Sequence, residues 1–347
     1  MGKGSRDTRR RPSQRPVSAG VISPRSRPSR GSRVRLVKQD RLLTRKQLGG
    51  LRDLVITAAT EERYNMALMR FFAFEESQGE YFSRDVYTLD AGVADYICAL
   101  WENGDPRHWG EDTVSSMCKK VPSLKGCFPS AWQLLTAWQR HELPIRATPP
   151  STPVLLAMCG LAIEWGDVSL MLTLAVSFHC LLRTAESFSI RIADMQLTQA
   201  DTAVLSLPLT KSGQRFNVKE SVTITDRYLV AALSRFTRSK EPGDLLYQGG
   251  ARSFRSSFGA LVRALDLPRH ARYMPYSIRR GAATADFRMH GLLSRTTVRG
   301  RWKHERTCRI YINEALLELG EIQFSQKSQS LIDFYSAKAR SWLADHC

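Results

Sequence analysis

Four stretches of the chain combine residue types that can hold an anion, carry a proton and attack through oxygen. "LLRTAES" places Arg183 directly after a long apolar run, with Glu186 three positions on. "LTKSG" offers Lys211. "YSIRRGAATADF" sets Arg279 and Arg280 at the head of a run of small residues, Gly281, Ala282, Ala283 and Ala285. "GRWKHERTCRIYI" carries Trp302 and Tyr311, nine positions apart. A guanidinium is an always-charged planar fork that suits phosphate oxygens better than an ammonium does. A lysine can deliver a proton, and a phenol can form a covalent intermediate. Taken singly, each residue has an ordinary explanation. Arg183 and Glu186 read as a helix-end ion pair, Lys211 as a solvated turn lysine, and Trp302 and Tyr311 as core packing.

The elements that must position these residues are mainly helical. At 347 residues the chain is too long for one typical core, so two domains are expected. Residues 1–46, rich in Arg, Ser and Pro, cannot bury enough apolar surface to order themselves and read as a basic arm. The arm is either a DNA-contacting or nuclear-import segment or a solvated leader. Residues 47–145 read as a small helical bundle, with Thr60 capping "TEERYNMALMRFFAFEESQG". The prolines of "IRATPPSTP" mark a linker at 146–153. A second domain follows at 154–325. It opens with two apolar helices, at about 154–164 and 167–181. Strands at 203–208 and 216–223 then flank a turn at Gly213. Helices follow at about 226–237, 252–265, 277–289, 294–299 and 304–319. Residues 326–347 form an amphipathic helix candidate that docks either onto a neighbouring copy or back onto its own domain.

Net charge is +18, which points to an acidic partner, most often nucleic acid. Residues 1–46 hold 15 Lys/Arg against 2 Asp/Glu, so the arm supplies most of the excess and the remainder is nearly balanced. Charge alone therefore says little about the core. The seven cysteines show no CxxC spacing and several lie in apolar runs, as reduced thiols do. No disulfide scaffold, structural metal or cofactor is expected. The uncharged apolar run 168–182 is short for a bilayer span, and no apolar signal region opens the chain, so a soluble protein is expected.

The order of these residues resembles the tyrosine recombinase, or phage integrase, family over residues 60–320. "LLRTAES" is similar to the family's first-arginine motif, which implies Arg183 on the scissile phosphate with Glu186 in support. "LTKSG" matches the β-hairpin lysine, Lys211, which would act as general acid. "YSIRRGAAT" resembles the His-x-x-Arg motif, implying Arg279 as second arginine and Tyr276 in the usual His position. Trp302 then falls at the His/Trp position and Tyr311 at the nucleophile. Arg280 has no role in the family, and a solvent or backbone-phosphate contact is expected for it. The departure at Tyr276 bears on proton transfer, since a phenol titrates near 10.

The resemblance implies a fold that is mainly α with a small antiparallel β-hairpin or sheet. It further implies two-domain tyrosine-recombinase architecture, a helical core-binding domain plus a mixed α/β catalytic domain, clamped around double-stranded DNA. The implied activity is site-specific recombination through a 3′-phosphotyrosine, with self-assembly to a tetramer on DNA and no membrane or cofactor. Localisation follows the source: nuclear in a eukaryote, which a mobile-element origin would suit, and cytoplasm or nucleoid otherwise. Three rivals stay open at this stage. They are a catalytically weakened recombinase-like DNA-binding protein, a topoisomerase-like nicking and resealing enzyme, and a basic helical RNA-binding or scaffold protein.

Overall fold

The chain divides into two units, Met1–Pro144 and Ile145–Cys347. The computed structural model describes residues 38–43, 45–47, 50–51, 54–79, 85–143, 145–198, 201–207 and 220–346. Most of the basic arm, Lys211 and the turn at Gly213 lie outside the described residues.

Unit 1 is built on helices α1 (Ala58–Ser77), α2 (Val86–Glu102), α3 (His108–Lys120) and α4 (Pro129–His141). Thr57, rather than Thr60, caps α1: its backbone is extended and its hydroxyl accepts from the Thr60 amide at 3.3 Å. Phe71, Val93, Ile97, Val114 and Leu135 meet in the core, with Phe71 edge-on to Tyr96. The first turn of α4 has no cap of its own. Asp90, buried on α2, accepts from the Ser130 and Ala131 amides at 3.0 and 3.1 Å. One carboxylate thus satisfies two helix-end donors and fixes α4 against α2.

In unit 2 the apolar helices α5 (Thr152–Glu164) and α6 (Val168–His179) form the centre. The segment expected as a linker is packed instead: Ala147, Thr148 and Ser151 are buried, and the Thr148 amide donates to the Arg272 carbonyl at 3.1 Å. After the short helix α7 (Thr184–Ser187) come strands β1 (Met195–Leu197), β2 (Ala203–Leu207) and β3 (Glu220–Ile224), in antiparallel order β1-β2-β3. β1 is an addition to the expected hairpin, and three residues are too few to show a period of two. Helices α8 (Arg227–Thr237), α9 (Gly250–Ala264), α10 (Ser277–His290) and α11 (Leu293–Arg299) follow.

The expected helix at 304–319 is two helices, α12 (Glu305–Arg309) and α13 (Glu314–Ile322). They are parted where Asn313 turns out and caps α13 through the Leu316 amide at 2.9 Å. The last helix, α14 (Gln326–Asp345), packs on α5 of its own unit through Ile332, Ser336 and Ala339. At Gly160 the Tyr335 backbone comes so close that a Cβ would overlap its carbonyl oxygen. Among the described residues no helix is long and apolar enough to cross a membrane.

Candidate active site

Arg279 lies in the first turn of α10 and is 1% exposed. Its Nη1 donates to the Leu181 carbonyl and its Nη2 to the Gly300 carbonyl at 2.6 Å. Both acceptors belong to irregular backbone. Leu181 is left-handed (φ 50°), and Gly300 precedes left-handed Arg301 (φ 58°). The guanidinium thus holds the turn after α6 and the turn after α11 at once. Its guanidinium carbon lies 4.4 Å from the centre of the Trp302 ring and 5.5 Å from that of Tyr311, within cation–π range. Trp302 and Tyr311 are themselves 4.8 Å apart. Burial, reinforced by nearby Arg301 and Arg183, pulls Arg279 down to about 10, still charged at neutrality.

Small residues make this approach possible. A Cβ at Gly281 would strike the Pro150 carbonyl, and one at Gly300 would strike the Trp302 ring. Ala282 and Ala283 share an apolar cluster with Leu181, Trp302 and Cys308, against which Tyr311 packs.

Arg183 sits at the mouth of α7. Its amide donates to Glu186 Oε2 at 2.9 Å and its Nη1 to Glu186 Oε1 at 2.6 Å. The ordinary helix-end pair is therefore present, but it is not isolated. Arg301 Nη2 donates to Glu186 Oε2 at 2.5 Å, and Arg301 Nε lies 3.3 Å from Glu220 Oε2, which is also 3.9 Å from Arg183. Two arginines and two glutamates thus interlock, and three of the four side chains are no more than 15% exposed. Arg301 and Glu220 escaped the sequence reading. Arg301 stands inside the motif "GRWKH" with no role to mark it, and Glu220 is distant in sequence from all its partners.

Tyr276, 39% exposed, places its ring 5.6 Å from Tyr311. Burial, and then a hydrogen bond with Tyr311, push the Tyr276 phenol up. Arg280 departs from expectation: it is 2% exposed, not solvated. The structure therefore brings together Arg183, Glu186, Tyr276, Arg279, Trp302 and Tyr311. Lys211 lies outside the described residues, in the connection between Leu207 and Glu220, which pair across β2 and β3.

A helical unit followed by a mixed unit, with its small antiparallel sheet set among helices, is the fold of the tyrosine recombinases. No protein-family model matches the sequence, and no curated protein matches it. Among solved structures the chain is similar to a Tn1549 transposon integrase in complex with transposon right-end DNA, with TM-score 0.57 and 11% identity over 83% of this chain and 96% of that one. It is also similar to a lambda integrase dimer bound to a COC′ core site, with TM-score 0.53 and 11% identity over 81% of this chain and 77% of that one.

Proposed function

We propose that the protein cuts and rejoins duplex DNA through a 3′-phosphotyrosine on Tyr311. The observation that carries this reading is the stack of Arg279 with Trp302 and Tyr311, 4.4 and 5.5 Å away, in the motif order read from the sequence. Strand exchange without an energy cofactor requires the phosphodiester to be conserved as a covalent ester. The Tyr311 oxygen attacks phosphorus as the phenol gives up its proton to solvent. The bond to the 5′ oxygen breaks, and that oxygen takes a proton from Lys211. Charge gathering on the non-bridging oxygens is met by Arg183 and Arg279. Glu186 holds Arg183 in place at 2.6 Å. Rejoining runs the same steps in reverse with the 5′ hydroxyl of another strand.

In this reading unit 1 takes the part of the core-binding module and DNA is the partner. In the single chain the apolar stripe of α14 is covered by α5. A second reading, DNA binding with weakened chemistry, has its own support. Tyr276 replaces the usual histidine, and both terminal nitrogens of Arg279 are engaged by backbone carbonyls.

The test is covalent trapping on a library of nicked duplexes, with wild type beside Tyr311→Phe. The nick lets the cleaved 5′ piece diffuse away, so an adduct accumulates on a denaturing gel. An adduct absent from the variant establishes the nucleophile. Binding with no adduct in wild type hands the case to the second reading.

A further inference from the structure

Arg280 is buried to 2% exposure, donates from Nη1 to the Ile310 carbonyl at 3.1 Å, and leaves Nε and Nη2 with no hydrogen-bond partner among the described residues. A buried guanidinium with two idle donors is costly and calls for an explanation. Both idle nitrogens are enclosed by protein, as Arg279 Nε is, so burial alone does not separate a phosphate contact from a structural tie. The bond that Arg280 does make is the informative one. Ile310 immediately precedes Tyr311 and closes α12, so its carbonyl is one that the helix leaves unsatisfied. Arg146 Nη1 approaches the same oxygen at 3.5 Å.

One turn further along α10, Thr284 Oγ1 accepts from the Asn313 amide at 3.2 Å while donating to the Arg280 carbonyl at 2.9 Å. The backbone before Tyr311 and the backbone after it are therefore both tied to α10, the helix that carries Arg279. The tie explains why the chain breaks between α12 and α13 instead of running on as one helix.

We infer that Arg280 and Thr284 are positioning residues. They fix the Ile310–Asn313 segment so that Tyr311 is presented to Arg279 of its own chain. The inference rests on the proposed nucleophilic role of Tyr311, but its geometric content is independent of that role.

The experiment uses full-length protein carrying 3-fluorotyrosine at position 311, read by fluorine NMR without DNA. Arg280→Met and Thr284→Val keep side-chain volume and remove the two ties separately; Thr284→Val, being isosteric, serves if Arg280→Met fails to fold. Each variant should shift or split the wild-type resonance. Arg280→Lys, which can still donate to the Ile310 carbonyl, should restore it. An unchanged resonance in the variants overturns the inference whether or not the protein cuts DNA.

A second arm separates positioning from phosphate contact. Arg280→Met should slow adduct formation on saturating nicked duplex by at least about 10-fold, since small misplacements of a reacting atom cost up to about 10²-fold. DNA affinity should stay unchanged. In a Tyr311→Phe background, hydrogen peroxide can attack phosphorus in place of the phenol and expel the same 5′ oxygen. Arg280→Met should leave that peroxide cleavage unaltered. A parallel fall in peroxide cleavage would make Arg280 a phosphate ligand and overturn the inference. If wild type forms no adduct at all, the nucleophile reading fails, and the fluorine result still decides the positioning.

Discussion

Arg301→Met is the perturbation that tests the site's electrostatics most directly. Arg301 is 8% exposed at its side chain and contacts Glu186 and Glu220 at 2.5 and 3.3 Å, with a further bond to the Cys180 carbonyl at 3.4 Å. Methionine fills most of the volume and removes the charge. Glu186 keeps Arg183, but Glu220 is left with that arginine at 3.9 Å as its nearest cation in the cluster. Breaking a buried pair from one side costs about 3–5 kcal/mol, mostly from stranding the other charge. At 1.36 kcal/mol per decade, this corresponds to amide exchange about 10²- to 10⁴-fold faster where exchange requires unit 2 to open. Hydrogen–deuterium exchange of peptides spanning 180–190 and 300–312 reads this without assuming that both units unfold together. Adding Glu220→Gln removes the stranded carboxylate, so the double variant should recover about 1–2 kcal/mol of the loss. Exchange within threefold of wild type in Arg301→Met, or strictly additive effects in the double variant, would refute the interlocked cluster.

Two other predictions concern the scaffold. Gly160→Ala forces α5 and α14 apart, since its Cβ would overlap the Tyr335 carbonyl; a loss of about 1–3 kcal/mol or more is expected, with faster proteolysis at the C-terminal helix. Burial pushes the Cys159 thiol up to about 12 from 9.0, so the folded state holds this proton more tightly than the unfolded one. Its contribution is fully present below pH 9 and is lost as pH rises toward 12, so Cys159→Ala should show a shallower alkaline decline in urea-unfolding stability than wild type.

The apolar helices and the motif residues were legible in the sequence because their signals are local. "VSLMLTLAVSFH" is buried at nearly every turn, and α10 begins where "YSIRRGAAT" indicates, because small residues after an arginine need no distant partner to be recognised. The break at Ile310–Asn313 was not legible. Apolar residues at 308, 311, 312, 316 and 317 continue a helical spacing through it, and the interruption depends on donors and acceptors from α10. The prolines at 149 and 150 were read as part of a linker by their backbone rule. Their burial follows from Gly281, which leaves room for the Pro150 carbonyl and is more than a hundred residues away. Lys211 and its turn lie outside the described residues, so its place in the constellation rests on the motif.

The adjacent arginines at 279 and 280 show why a fold buries charge where a hydrophobic helix start would be cheaper. Successive residues on a helix point about 100° apart, so the pair cannot serve one target. Arg279 engages the Leu181 and Gly300 carbonyls, and Arg280 engages the Ile310 carbonyl. All three acceptors lie at chain turns that close helices or precede left-handed residues, where backbone oxygens have no helical partner. Each turn also adjoins a site residue: Leu181 is two positions from Arg183, Gly300 two from Trp302, and Ile310 one from Tyr311. An apolar pair at these positions would strip the Leu181 and Gly300 carbonyls of their Arg279 donors and leave the Ile310 carbonyl with Arg146 alone, at 3.5 Å. The guanidiniums therefore set the geometry of the site from one helix, and the partly engaged Arg279 keeps its Nε unpaired beside the aromatic pair. Arg279→Lys retains the charge but can satisfy no more than one of its two carbonyls with comparable geometry, so it should loosen both turns and abolish trapping as fully as alanine does. A lysine variant that forms adduct at the wild-type rate would show that charge, and not the fork, is what the site requires.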